Sequence, residues 1–248
     1  MASRSESQEQ QEWPTRSFLG GLSDPVRVAL LQLGTRCRYV PEEVLIREGD
    51  RSNHVVLLRS GFVKVTSRLE NGHEALLAIR IGGDIVGEMA AMDEGATRSA
   101  TVTACGEIAA SVVRETDLRV FLDSHPEAAR AVNRIVVRRL RWANQRRVEF
   151  GAYSVKVRLA RVLAELAASY GHQVPRGLVI GIDLTQPEMA ALTGSAEVTI
   201  HKALAELRKE GLITTGYRRT TVLDLARLRE TARLESAGPD VEDQYHSR

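Results

Sequence analysis

The chain has 248 residues, of which 43% are hydrophobic and 4% aromatic, and its formal net charge is +2. This length suffices for two domains with separate cores, and no apolar run approaches the roughly 18 residues that a membrane helix requires. Two cysteines exclude a four-thiolate iron–sulfur cluster within one chain, and the small net charge does not by itself indicate a nucleic-acid partner.

The first segment, residues 1–16, is polar and has no apolar periodicity, so we predict a disordered leader. It lacks the apolar core of a signal peptide, which favours a cytoplasmic protein with no membrane association. In that compartment Cys37 and Cys105 are expected to be buried as small apolar side chains rather than joined in a disulfide.

A β-rich region follows a short helix that Asp24 is predicted to cap, with Pro25 at its first position. Between Arg36 and Val120, short apolar runs alternate with glycine-containing turns, and residues 71–72 form an Asn-Gly hairpin signal. Many short strands at this spacing indicate a double-sheet jelly roll. We therefore assign residues 17–124 to a β-roll domain.

Residues 87–100, named the cassette below, contain the groups that a cyclic sugar phosphate requires. Glu88 can accept hydrogen bonds from ribose hydroxyls, and Arg98 offers a fork of donors to phosphate oxygens. Ser99 and nearby backbone N–H groups complete an anion site that glycines allow to approach closely. A surface ion pair between Glu88 and Arg98 is the alternative. The predicted ligand-binding residues of the cassette are Gly87, Glu88, Met89, Arg98 and Ser99.

Residues 125–150 predict one long amphipathic helix, since no helix breaker occurs from Pro126 to about Phe150. Its apolar stripe consists of Val132, Val136, Leu140 and Ala143. A helix beside a small β-roll must bury such a stripe, and a second copy of the chain is the economical partner, so we predict a homodimer. The alternative is that the helix packs only on its own domain.

A break at residues 150–154 separates this helix from the next one, which Ser154 is predicted to cap. Gly151 fits either a hinge between domains or an ordinary turn between helices, and the sequence leaves both open. We assign residues 151–235 to a second domain and residues 236–248 to a disordered tail.

The second domain contains a helix-turn-helix pattern. Thr185 and Glu188 form a capping box, and the spacing of Ala190, Gly194 and Ile200 is typical of two closely crossing helices joined by a glycine turn. This spacing favours DNA binding over a generic helical hairpin. The predicted buried stripe of the second helix is Ile200, Ala203, Leu204 and Leu207.

The opposite face of that helix is predicted to enter the major groove, and residues 211–223 read as a β-hairpin wing with two arginines at its tip. Between residues 183 and 219 five acidic residues balance five basic ones, so non-specific binding to DNA is expected to be weak. The predicted DNA-binding residues are Thr185, Glu197, Val198, Thr199, His201, Lys202, Arg218 and Arg219.

From about Phe18 to about Leu225, the cassette, the long helix and the helix-turn-helix resemble the Crp/Fnr family of bacterial transcription regulators. The resemblance implies an α+β fold: an N-terminal double-stranded β-helix (jelly roll) cyclic-nucleotide-binding domain, a long dimerisation helix and a C-terminal winged helix-turn-helix. It also implies that Arg139 engages Glu88 and that residues 143–144 face adenine. Asn144 can donate and accept there, whereas the alanine before it cannot.

The resemblance implies a function as well: a cytoplasmic, ligand-responsive transcription regulator, activator or repressor, that binds a palindromic operator as a homodimer. Its expected effector is cyclic AMP, with cyclic GMP or no ligand as alternatives, and no metal is expected. Its expected partners are double-stranded DNA, a second copy and, as a candidate, RNA polymerase. Glu197 and Val198 replace the family's guanine- and cytosine-reading residues, so the operator is expected to differ from the usual one.

Two other functions stay open. One is a family member with another effector or none that binds DNA constitutively, and the other is a cyclic-nucleotide-binding protein that acts through protein partners. An enzyme is not expected, because the sequence has no nucleophile–base pair and its six histidines show no ligand spacing.

Overall fold

The computed structural model describes residues 13–68, 74–182, 184–216 and 219–234. The elements of the first half are α1 (Asp24–Leu33), β1 (Thr35–Tyr39), β2 (Val44–Ile46), β3 (Val55–Ser60), β4 (Phe62–Arg68), β5 (Glu74–Ile81), β6 (Ile85–Val86), α2 (Glu88–Met92), β7 (Thr101–Ala104), β8 (Ile108–Val113), α3 (Glu115–Ser124) and α4 (Pro126–Ala152). Those of the second half are α5 (Val155–Tyr170), β9 (Gly171–Val174), β10 (Gly177–Ile180), α6 (Gln186–Thr193), α7 (Glu197–Lys209), β11 (Ile213–Gly216), β12 (Arg219–Val222) and α8 (Leu225–Thr231).

The chain forms two compact units, one of residues 1–65 and 79–140 and the other of residues 66–78 and 141–248. This division places the end of α4 in the second unit. The architecture confirms the predicted α+β fold of β-roll, long helix and helix-turn-helix with a small sheet. The domain boundaries drawn from the sequence remain predictions.

The β-roll consists of two four-stranded sheets with the orders β1-β8-β3-β6 and β2-β7-β4-β5. Strand β3 contributes to two cores, because successive side chains of a strand point to opposite faces. Val55 and Leu57 pack with Phe18, Leu30 and Phe121 in one cluster. The alternate residues, Val56 and Leu58, pack in the second cluster with Val63, Val102 and Ile108. The helices therefore cover one face of a sheet whose other face forms the interior of the roll.

The start of α1 corrects one prediction. Ser23, not Asp24, is the N-cap residue, and its own side chain makes no capping hydrogen bond. Glu127 provides the acceptor instead: its carboxylate accepts from the Ser23 backbone N–H at 2.5 Å and from the Ser23 hydroxyl at 2.7 Å. These two bonds lower the pKa of Glu127. Asp24 pairs with Arg27 within the first turn.

The predicted leader is only partly described. Residues 1–12 lie outside the described ranges, as do residues 235–248, which include the predicted tail. Trp13, assigned to the leader from sequence, packs against the core that contains Phe18, and its indole N–H donates to the Arg59 carbonyl at 2.8 Å. Cys37 and Cys105 are not joined in a disulfide, and both are half-buried rather than buried as predicted.

Helix α4 divides the predicted apolar stripe into two parts. Val132 is buried with Ala128, Ala131 and Ile135 in the core of its own β-roll. Val136 and Leu140, one and two turns further on, remain 39% and 59% exposed. The first part of the stripe therefore packs within the chain, and only the later part is available to a partner.

The second unit contains a four-stranded sheet of order β11-β12-β10-β9 and the helices α5 to α8. Ser154 caps α5 as predicted, since its side chain accepts from the Val157 N–H. Strands β11 and β12 pair antiparallel from Ile213↔Val222 to Gly216↔Arg219, which gives the predicted wing. Residues 217–218 at its tip lie outside the described ranges.

Candidate ligand and nucleic-acid sites

The cassette begins with a backbone turn that only glycine adopts easily. Gly87 has a φ of +83° and joins β6 to the short helix α2. A Cβ atom there would lie 2.8 Å from an Arg98 guanidinium nitrogen and 3.0 Å from the His54 carbonyl oxygen. Glycine therefore allows both the turn and the close approach of the Arg98 side chain.

The structure brings Glu88 and Arg139 together, as the family resemblance implies. Glu88 is only 4% exposed, and its carboxylate accepts a charge-assisted hydrogen bond from Arg139 Nη1. The second nitrogen of the same guanidinium, Nη2, donates to the Ile85 carbonyl at 2.7 Å. This pair joins α2 to the long helix within the first compact unit.

Arg98 is buried at 2% exposure and is held by three acceptors. Its Nη1 donates to the Gly87 carbonyl at 2.8 Å, its Nη2 to the His54 carbonyl at 2.5 Å, and its Nε to the Ser52 hydroxyl at 3.2 Å. Burial lowers the pKa of Arg98, while Asp50 and Glu88 oppose that shift. A guanidinium has five N–H donors and stays protonated in proteins, so these hydrogen bonds use three of its five donors.

The alternative interpretation, a surface ion pair between Glu88 and Arg98, does not hold among the described residues, because Glu88 pairs with Arg139 instead. Met89 and Ser99 are both exposed, and the Ser99 hydroxyl lies 3.8 Å from the Met89 sulfur. Asn144 is exposed on the part of α4 that belongs to the second unit. The roles of these residues toward a ligand remain predictions.

Sequence reasoning missed the acceptors that orient Arg98. Two of them come from Ser52 and His54, which lie between β2 and β3, and the third is the Gly87 carbonyl. Two of the three acceptors are backbone carbonyls, which have no signature in the sequence. The only signal was a polar stretch between two apolar runs, and that pattern is common to most loops.

Asp84 is a second carboxylate close to Arg139 that the sequence did not single out. It accepts from the Ile81 N–H at 3.2 Å. Burial raises the pKa of Asp84, whereas Arg139 and Arg80 oppose this rise. Arg139 therefore faces two acidic groups, and its direct ion pair is with Glu88.

The first helix of the helix-turn-helix has the predicted capping box. The Thr185 N–H and hydroxyl donate to Glu188 Oε2 at 2.7 and 2.9 Å, and the same hydroxyl accepts from the Glu188 N–H at 3.4 Å. Thr185 is thus committed to the cap, and its predicted contact with DNA remains a prediction.

The turn between α6 and α7 depends on Gly194, which has a φ of +58°. A Cβ atom at this position would lie 2.7 Å from the Phe150 ring, which comes from the last turns of α4. Phe150 also contacts α5, because Arg158 donates to its carbonyl at 2.7 Å. The end of α4, the turn and α5 therefore pack together in the second compact unit.

Further contacts tie the end of α4 to α5. The Trp142 indole N–H donates to both carboxylate oxygens of Glu165, at 3.1 and 3.2 Å, and Glu149 pairs with Arg161 at 2.5 Å. Burial lowers the pKa of Arg146, which lies 4.0 Å from the Trp142 ring, to about 10. Because α4 continues through Gly151 to Ala152, only residues 153–154 separate it from α5, and the hinge and the ordinary turn both remain predictions.

Helix α7 presents two distinct faces. Its predicted buried stripe is confirmed, because Ile200, Ala203, Leu204 and Leu207 are each at most 4% exposed. The opposite face is exposed, with Val198 at 68%. The exposed residues that the sequence assigned to DNA are Glu197, Val198, Thr199, His201 and Lys202.

The wing is tied to α7 by Arg208, whose Nη1 donates to the Thr215 hydroxyl at 2.8 Å. Arg219 is exposed at the start of β12, whereas Arg218, the other predicted phosphate contact, lies outside the described ranges. Over those ranges no helix has the length and apolar character needed to cross a membrane. No three metal-ligating side chains cluster there either.

Two family models match the chain. A cyclic nucleotide-binding domain matches residues 36–125, and a Crp-like helix-turn-helix domain matches residues 157–231. Over 186 residues the chain is 32% identical to a CRP-like cAMP-activated global transcriptional regulator of Mycobacterium tuberculosis, covering 75% of this chain and 83% of that protein. It is 31% identical over 196 residues to the transcriptional regulator LdrP of Thermus thermophilus, covering 79% and 95% of the two chains.

Solved structures show the same fold. A CRP-family transcriptional regulator of Thermus thermophilus superposes with a TM-score of 0.67 at 28% identity, covering 79% of this chain and 96% of that one. The c-di-GMP responsive global regulator CLP of Xanthomonas campestris gives a TM-score of 0.69 at 21% identity, covering 82% of this chain and 100% of that one.

Proposed function

The chain belongs to the Crp/Fnr family of DNA-binding transcription regulators, and we propose that it is a cytoplasmic homodimer that binds a palindromic operator in response to a cyclic nucleotide, with cyclic AMP as the favoured effector. This family consists of transcription regulators rather than enzymes, in agreement with the expectation from sequence. Its proposed partners are double-stranded DNA, a second copy of the chain and RNA polymerase.

The observation that carries the effector proposal is the pairing of Glu88 with Arg139 next to the buried Arg98. A carboxylate held in place by an arginine suits ribose hydroxyls, and a second guanidinium with two remaining donors suits a phosphate. The Mycobacterium tuberculosis relative is named as cAMP-activated, which supports the same ligand class.

Calorimetry on the purified full chain tests the effector. Titrations with cyclic AMP, cyclic GMP and c-di-GMP are expected to show that cyclic AMP saturates the protein at a lower concentration than the other two nucleotides. Glu88→Gln is expected to weaken that binding mildly, because an amide still accepts one hydrogen bond from ribose. Saturable binding of another nucleotide alone would overturn the cyclic AMP assignment, and no binding of any would overturn nucleotide control.

A constitutive DNA-binding function is the second candidate, and the self-contained cassette favours it. Arg98 already has three acceptors and Glu88 already has Arg139, so the cassette is held together without a ligand. The two functions differ in the coupling between sites. If a nucleotide tightens operator binding, the operator must tighten nucleotide binding by the same factor.

The DNA proposal predicts different effects for two basic residues. Lys202 lies on the exposed face of α7, so Lys202→Ala is expected to change the preferred sequence, costing about 1–3 kcal/mol at the base it reads. Arg219 lies on the wing, so Arg219→Ala is expected to weaken all duplexes alike and to reduce the salt slope by about 1. Selection from random duplexes, with and without nucleotide, measures both.

Lys209→Ala is the matched control for Lys202→Ala, because it removes an exposed charge from the last turn of the same helix.

Two recognition helices related by a dimer axis should select half-sites about 34 Å apart. Enrichment of no palindrome in either condition would favour action through protein partners. The same palindrome at the same affinity in both conditions would favour constitutive binding.

A further inference from the structure

Helix α3 faces the cassette across a groove in the first compact unit. The groove has a volume of about 740 Å³, and its walls include Ala90 and Gly95 of the cassette and Thr116 and Val120 of α3. The proposed nucleotide-binding groups, Glu88 and Arg98, do not line this groove. It therefore lies beside the effector site rather than forming it.

A charged side chain of α3 spans the groove to the cassette. Arg119 Nη1 donates to Glu94 Oε1 at 2.6 Å, and its Nη2 lies 2.5 Å from Glu115 Oε1. Glu94 is in the cassette loop next to Gly95, which has a φ of +81°. The Arg119 guanidinium thus pairs with Glu94 on the cassette loop and with Glu115 on α3.

Glu115 extends this contact to the loop that holds Arg98. Its other oxygen, Oε2, accepts from the Asn53 side-chain amide at 3.1 Å. Asn53 lies between Ser52 and His54, and these two residues provide acceptors for Arg98. A continuous series of contacts therefore runs from the cassette loop through α3 to the arginine proposed to bind phosphate.

We propose that Arg119 and Glu115 are positioning residues of the effector site: without touching the ligand, they fix the cassette loop and the residue 52–54 segment that orients Arg98. This inference rests on the proposed function for the ligand, although the positioning itself is a property of the free protein. An isolated exposed ion pair contributes little. Here Glu115 is only 13% exposed, and its two oxygens contact Arg119 and Asn53 separately, so losing Arg119 removes one of the two groups that hold this carboxylate in place.

Hydrogen–deuterium exchange of the free full-length protein tests the positioning directly. Arg119→Ala is expected to speed exchange about fivefold at backbone amides of residues 52–54 and 93–98. The matched control is Arg114→Ala, which removes the ion pair between the N-cap residue of α3 and Asp117 and should leave both segments unchanged. If Arg119→Ala and the control give the same exchange in both segments, positioning is overturned.

Cyclic AMP binding provides the second measurement. Arg119→Ala is expected to weaken binding about fivefold, mainly through faster dissociation, and Arg119→Lys should restore part of it by pairing with one acid. Glu94→Ala removes the loop contact at a side chain that is 80% exposed, so it tests the same link without endangering folding. Faster exchange with unchanged dissociation would overturn the role toward the ligand. If the wild type binds no cyclic nucleotide, the proposed function fails, while the exchange result still decides the positioning.

Discussion

Arg98→Ala is expected to abolish cyclic-nucleotide binding and to lower the free energy of unfolding of the β-roll by about 3 kcal/mol or more. The guanidinium is 2% exposed and donates to the carbonyls of Gly87 and His54, and hydrogen bonds involving a charged group contribute about 1.5–3 kcal/mol each. The same side chain is the proposed phosphate ligand, so this one substitution is expected to reduce both the stability of the β-roll and the binding of the nucleotide. Denaturant unfolding measures the first effect, and calorimetry with cyclic AMP measures the second.

Two variants separate these effects. Arg98→Lys keeps the charge but loses the planar fork, so it should retain part of the stability and little of the affinity. Arg51→Ala removes an exposed arginine near the same loop and should change neither quantity. A folded Arg98→Ala protein with the affinity of the wild type would contradict the cassette as a phosphate site.

Val136→Glu is expected to convert the proposed dimer into monomers and to weaken operator binding by roughly 10²–10⁴-fold. Val136 and Leu140 are exposed on consecutive turns of α4, beyond the part of the helix that packs on its own β-roll. In a symmetric helix pair the new carboxylates would be placed close together and lose solvent, and a monomer engages only one half-site. Sedimentation velocity and operator titration measure these effects.

The control for an added charge is Val40→Glu, at a valine that is 63% exposed in the β-roll. It should leave assembly unchanged. A Val136→Glu protein that sediments as a dimer would refute the interface on α4, and the helix would then pack only on its own domain.

Short-range patterns in the sequence were sufficient for much of the fold. The capping box of Thr185 and Glu188 and the buried stripe of α7 depend on spacings of three and four residues, and both are present. The same holds for Ser154 at the start of α5. Each of these features is a contact within one or two helical turns, so the residue order alone determines which groups meet.

The errors and omissions concern contacts between distant segments. Asp24 does not cap α1: the carboxylate that accepts from the N-cap residue, Ser23, comes from Glu127, 104 residues after Ser23. Val132 was assigned to a partner interface, yet it is buried in its own core. Periodicity identifies an apolar face without identifying what covers it, and the acceptors of Arg98 are mainly backbone atoms that any residue provides.

Gly194 limits which substitutions the helix-turn-helix can accept during evolution. The position excludes a side chain for two separate reasons: its left-handed backbone, which costs most residues about 1–2 kcal/mol, and the Phe150 ring 2.7 Å from where a Cβ would lie. A compensating change at Phe150 could create space but could not alter the backbone. Substitutions on the exposed face of α7, which would change the preferred operator, can therefore accumulate more freely than substitutions at the turn that positions this helix.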